Sequence, residues 1–177
     1  MKIMQRTTKS VISMIVLLMI PLFVDAGEVR VGFSPSGSAQ KLVLEAIGEA
    51  RVSVDLAAYS FTSKPVSLAL LQAKKRGVLV RVVADKKAND DRYTAVTFLV
   101  HKGIEVRLNG NYAIQHNKFL VVDAKSVQTG SMNYTKSGDS RNAENVVYLR
   151  DMPETAKQYT REFNRLWAES ERIDAKY

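Results

Sequence analysis

An α/β domain is expected, a mixed, mostly parallel β-sheet with helices on both faces. Short apolar runs alternate with stretches of helical period through the first half of the chain, a rhythm that favours parallel strands joined by helices. Proline, glycine and basic residues stand where helices should begin and end. The 177 residues, 46% hydrophobic and 25% charged, suit one packed domain.

The elements follow in order. Val29-Arg30-Val31-Gly32-Phe33 alternates as a strand does, and Ser34-Pro35-Ser36-Gly37-Ser38 is a turn leading into a helix from about Ala39 to Ala50. Val52 to Tyr59 reads as a buried strand. Pro65 suits a first helical position, with Val66, Leu70 and Ala73 behind it. Lys74-Lys75-Arg76-Gly77 closes that helix with basic residues and a C-cap glycine. Val78 to Ala84 is a strand, Asp91 to Lys102 a helix stopped by Gly103, and Ile104 to Leu108 a strand. Farther on, Phe119–Asp123, Ser126–Thr129 and Asn145–Leu149 are strand-like. A last helix from Pro153 carries Ala156, Tyr159, Phe163, Leu166 and Trp167 on one stripe.

Ahead of these elements, Lys2, Arg6 and Lys9 precede an apolar run from Val11 to Val24, and Val24-Asp25-Ala26 precedes Gly27. That order resembles a secretory signal peptide, residues 1–26, leaving a single domain over 27–177 in the periplasm or outside the cell. The alternative is an uncleaved anchor. A bilayer span takes about 20 apolar residues, and this run is shorter and contains Pro21. Loss of the leader takes three basic residues and Asp25 from a net charge of +8, so the domain keeps +6. A basic domain meets anions such as nucleic acid or anionic lipid. The chain has no cysteine and two histidines, which excludes disulfides, thiolate zinc sites and thiol catalysis.

Chemistry concentrates in residues 116–133, HNKFLVVDAKSVQTGSMN. If the strand at Phe119 extends back to His116, then His116 and Lys118 share a face and converge on one small anion. Lys118 brings a positive charge with three donors. Gly130 lets the backbone come close, and Ser131 and Asn133 add neutral donors. Such a group suits a phosphate whose equatorial oxygens gain charge. His116 is the residue type that can attack or donate a proton near neutral pH.

This string resembles the signature of the phospholipase D superfamily, His-x-Lys, four residues, Asp, six residues, Gly-Ser-x-Asn, and matches every fixed position. Residues 27–177 resemble the small, single-motif bacterial endonucleases of that superfamily, also at Phe33-Ser34-Pro35, Ala58 to Thr62, Arg76-Gly77-Val78 and Asn142 to Asn145. The resemblance implies hydrolysis of phosphodiesters without a metal or other cofactor. His116 would be the nucleophile that forms a phosphohistidine, and the acid in a partner copy. Lys118 and Asn133 would hold phosphate oxygens with Ser131 close by, and Glu144 would orient the histidine through its other ring nitrogen. Asp123 belongs to the signature, yet holding the turn before Gly130 suits it at least as well as catalysis. Larger members carry two motifs per chain, so a homodimer with one composite site is expected.

Outside the motif, Lys86 and Lys87 follow a strand end, where ligands gather in parallel sheets, and are candidate contacts to a nucleic-acid backbone. Ser60, Thr62 and Ser63 have a lesser claim to the cleft. Lys74-Lys75-Arg76 suits helix capping as well as nucleic-acid contact, and His101 suits a helix end. The expected function is a nonspecific endonuclease acting on DNA, with RNA as the alternative nucleic acid, and with no stable membrane association after leader removal. The rivals are a hydrolase of anionic lipids, against which no exposed apolar loop stands out, and a nucleic-acid-binding module without catalysis.

Overall fold

The computed structural model describes residues 27–90 and 94–175. The leader and the expected helix start at Asp91 lie outside them. β1 (Glu28–Ser34), α1 (Ser38–Glu49), β2 (Ser53–Ala58), α2 (Lys64–Lys75), β3 (Leu79–Asp85), α3 (Ala95–His101) and β4 (Glu105–Asn109) make the alternating half. β5 (Phe119–Val122), β6 (Ser126–Gly130), α4 (Lys136–Ser140), β7 (Glu144–Arg150), α5 (Pro153–Glu169) and β8 (Glu171–Arg172) complete the chain. The one-turn α4, the two-residue β8 and a 3₁₀ turn at Lys87–Asn89 are too short to show a period in the sequence.

One eight-stranded sheet has the order β1-β7-β6-β5-β2-β3-β4-β8. The α/β architecture and the mixed sheet are as expected, but the sheet is not mostly parallel. Only β2–β3 and β3–β4 are parallel, and the other five pairings are antiparallel. Two causes account for this. The turn between β5 and β6 is too short for a parallel crossover, so it makes a hairpin. β1 pairs with β7 instead of β2, so the first strand–helix–strand unit spans the sheet without forming a parallel pair.

The sheet's two faces bury different cores. α1, α2 and α3 cover one, where Leu42, Ile47, Leu56, Leu70, Val82 and Leu99 pack together. α5 covers the other with Phe163 and Leu166 against Ala57, Val83, Phe119 and Val127. Leu56 and Ala57 fall into different cores because successive strand residues point to opposite faces. On the α5 side the cover stops short of β1. Val29, Val31 and Phe33 there are 55%, 54% and 57% exposed, in register with Leu149, Val147 and Asn145.

Two residues of the basic cluster at the end of α2 cap other helices. Arg76 donates to the carbonyls of Ile47 and Gly48 at the end of α1. Lys74 donates to those of Lys102 and Gly103 behind α3. Both meet the negative ends of helix dipoles. His101 Nδ1 lies 2.8 Å from the Thr97 carbonyl oxygen, at the helix end expected for it.

Candidate active site

The parallel strands β2 and β3 end side by side, and three buried polar residues tie the chain together there. Asp85 accepts from the Ala88 amide at 2.8 Å and from the Gln115 amide at 2.8 Å. Asn89 donates to the carbonyls of Tyr59 and Asp85 and accepts from the Phe61 amide. Gln115 donates to the Ala58 carbonyl and accepts from the Asn117 amide at 2.7 Å. These bonds fix the Tyr59–Phe61 loop and the segment carrying His116. Nothing in the sequence singles out these three residues, because a buried frame of single polar side chains has no period or spacing.

β5 begins at Phe119, so His116 does not lie on a strand and the alternation argument for its direction fails. The convergence holds by another route. The rings of His116 and Tyr59 meet edge to face at 4.8 Å. Lys118 Nζ stands 5.3 Å over the same Tyr59 ring and donates to the His116 carbonyl at 2.6 Å. Lys118 is buried while His116 is exposed. Burial lowers the Lys118 pKa, and the Glu144 charge works in the opposite direction.

Register brings in the rest of the motif. Phe119 is opposite Thr129, and Gly130 is opposite Val146. Lys118 therefore adjoins Gly130, and Ser131 adjoins the start of β7. A side chain at Gly130 would collide with the Asn145 carbonyl, which requires glycine there. Ser131 Oγ donates to Glu144 at 2.6 Å and accepts from the Asn145 amide at 3.0 Å. The other Glu144 oxygen accepts from Asn142 at 3.0 Å. Glu144 thus engages Ser131 and Asn142, and among the described residues it makes no hydrogen bond to His116. Asn133 Oδ1 is buried without a hydrogen-bond partner among the described residues.

Asp123 is elsewhere. Its carboxylate accepts the amides of Arg51, Val52 and Ser53, at the opposite end of β2 from Tyr59. Burial acts to raise its pKa, but the three amides prevail and hold it below the ordinary value. Lys86 and Lys87 follow β3 at the same end of the sheet as Tyr59. Lys86 Nζ is 2.7 Å from Glu171, which raises its pKa. Ser63 is spent on capping α2 through the Val66 amide. Ile114 and Tyr112, just before His116, are 48% and 41% exposed, an apolar flank that the sequence did not show.

The family model for the cardiolipin synthase, PLD-like domain matches residues 43–167. The chain belongs to the phospholipase D superfamily. The crystal structure of a phospholipase D family member, Nuc from Salmonella typhimurium, superposes with a TM-score of 0.82 at 39% identity, covering 84% of this chain and 99% of that one. Phospholipase D of Rickettsia prowazekii is 34% identical over 119 residues, 67% of this chain and 58% of its own length. Mitochondrial cardiolipin hydrolase of Danio rerio is 34% identical over 135 residues, 76% of this chain and 59% of its own. The chain spans about three fifths of the length of these two curated relatives. In this phospholipase D-like chain His116, Lys118, Ser131 and Glu144 lie around the ends of β2 and β3 and the start of β7, with Asp123 at the other end of β2.

Proposed function

We propose that the protein is a phosphodiesterase working through His116, and that its substrate is DNA. The observation that carries this is the meeting of His116 and Lys118 on Tyr59, beside the Ser131–Glu144 pair and Asn133. His116 attacks phosphorus, the P–N bond forms, and the P–O bond to the leaving oxygen breaks as that oxygen takes a proton. Water then attacks the phosphohistidine, gives up a proton and releases the phosphomonoester. Lys118 and Asn133 hold the non-bridging oxygens, where transition-state charge is greatest. A +6 domain suits a polyanion, and the likeness to Nuc extends over nearly all of that chain.

One imidazole cannot both attack and protonate from the opposite side, so the second comes from a partner copy. The row of Val29, Val31 and Phe33 is the face for that partner. Phe33 is in register with Asn145, whose amide bonds Ser131, so this apolar face runs up to the site. The leader expected over residues 1–26 supports a periplasmic or extracellular protein. A mature chain beginning at Gly27 on N-terminal sequencing is the expected result.

A second reading, hydrolysis of an anionic lipid, draws on exposed Tyr112 and Ile114 beside His116 and on the names of the curated relatives. Purified protein with excess EDTA is offered plasmid DNA and cardiolipin vesicles. Nicking of the plasmid that is lost in His116→Ala is expected. Turnover of vesicles alone would replace DNA with lipid, and activity restored only by Mg²⁺ or Zn²⁺ would overturn the mechanism.

A further inference from the structure

A cavity opens at the active-site end of the sheet, on the α2–α3 side, and the motif does not reach it. Its volume is about 240 Å³. Leu68, Ala95 and the Phe98 ring supply apolar walls, and Thr62 and Lys64 stand at its polar rim. Leu68 is 40% exposed beside it. Lys64 is exposed and makes no ion pair among the described residues, unlike Lys86. Thr62 follows by three residues the Tyr59 ring that touches His116 and Lys118. Their Cα atoms are therefore no more than about 11 Å apart, within reach of a group attached to the scissile phosphate.

We propose that this cavity receives the base of the nucleoside on one side of the scissile phosphodiester, with Lys64 beside the next phosphate. The inference rests on the nuclease reading. Size favours one flat ring system, since pockets for larger ligands run from roughly 300 to 1,000 Å³. The several acyl chains of a cardiolipin would not share it. Chemistry agrees, because a base offers apolar faces to Leu68 and Phe98 and a polar edge to Thr62, which an acyl chain would leave unmet. Ser67 and Thr94 also line it, Ser67 with its hydroxyl spent on the Ser63 carbonyl, and a lining that is mainly carbon gives stacking with little readout of sequence.

The test compares kcat/KM for three p-nitrophenyl phosphodiesters, whose second ester group is methyl, the thymidine 3′-oxygen or the thymidine 5′-oxygen. The full-length enzyme should prefer one thymidine ester over the methyl ester by about tenfold, the scale of one stacked base. Leu68→Asp should bring that ratio close to one and leave the methyl ester unchanged. Leu68→Ala should give an intermediate ratio and keeps the test open if the charged variant does not fold. A wild-type ratio near one for both thymidine esters, or a preference indifferent to both substitutions, overturns the base site. So does a Leu68→Asp defect confined to cardiolipin vesicles, which would make the cavity an acyl pocket. Failure of the nuclease reading looks different, as no cleavage of plasmid or of either thymidine ester while vesicles turn over.

Discussion

Replacing Asp123 by Asn keeps the side chain's shape and removes its charge. The three amides of Arg51, Val52 and Ser53 that point at it would lose a charged acceptor, at a cost of about 1–2 kcal/mol. Because folding lowers the Asp123 pKa, its contribution is present above the unfolded value, about 3.9, and is lost as pH falls through the folded one. Urea unfolding should show wild type and Asp123→Asn far apart at pH 7 and converging below pH ~4. The variant's kcat at 25 °C should stay near wild type, whereas His116→Ala should abolish turnover and keep DNA binding. A dead but stable Asp123→Asn would return Asp123 to the chemistry. The signature holds residues of both kinds, and spacing alone does not separate them.

The hairpin between β5 and β6 turns through Asp123 and Ala124, both left-handed, with φ of 52° and 55°. Such turns prefer Asn-Gly or Asp-Gly, and alanine is strained there by roughly 1–2 kcal/mol. Ala124→Gly relieves this but adds freedom to the unfolded chain, for a net gain of about 0.5–1 kcal/mol. Calorimetry should find Tm raised by about 1–4 °C, and no rise would mean that Ala124 is comfortable in its turn. The strands expected at Phe119–Asp123 and Ser126–Thr129 imply a turn between them, but the residues Asp-Ala-Lys do not announce its left-handed backbone. The helices and strands of the first half were legible because each has a period and a stop, as at Pro65 or Gly77. Pairing was not legible, because β1 and β7 meet across more than a hundred residues and no local pattern records that choice. For the same reason the signature disclosed His116, Lys118, Ser131 and Asn133, while the Asp85–Asn89–Gln115 frame that supports them appeared only in the structure.

Two copies of the molecule should be needed for one active site. Val31→Asp places a charge in the exposed row on β1 and should give a folded monomer by sedimentation, with unchanged circular dichroism and little activity. Mixing wild type with excess His116→Ala should lower activity as the square of the wild-type fraction. A linear fall, or a fully active monomer, would sink the composite site. The pairing of β1 with β7 also bears on how the protein is made. As the chain leaves the ribosome, β1 emerges early, but its partner appears only after Glu144 has been translated. Contacts this distant in sequence form slowly, so the nascent protein stays open at its front end for most of synthesis. Stalled nascent chains ending before Glu144 should be cut within β1 by added protease, and chains that also expose α5 outside the ribosome should resist.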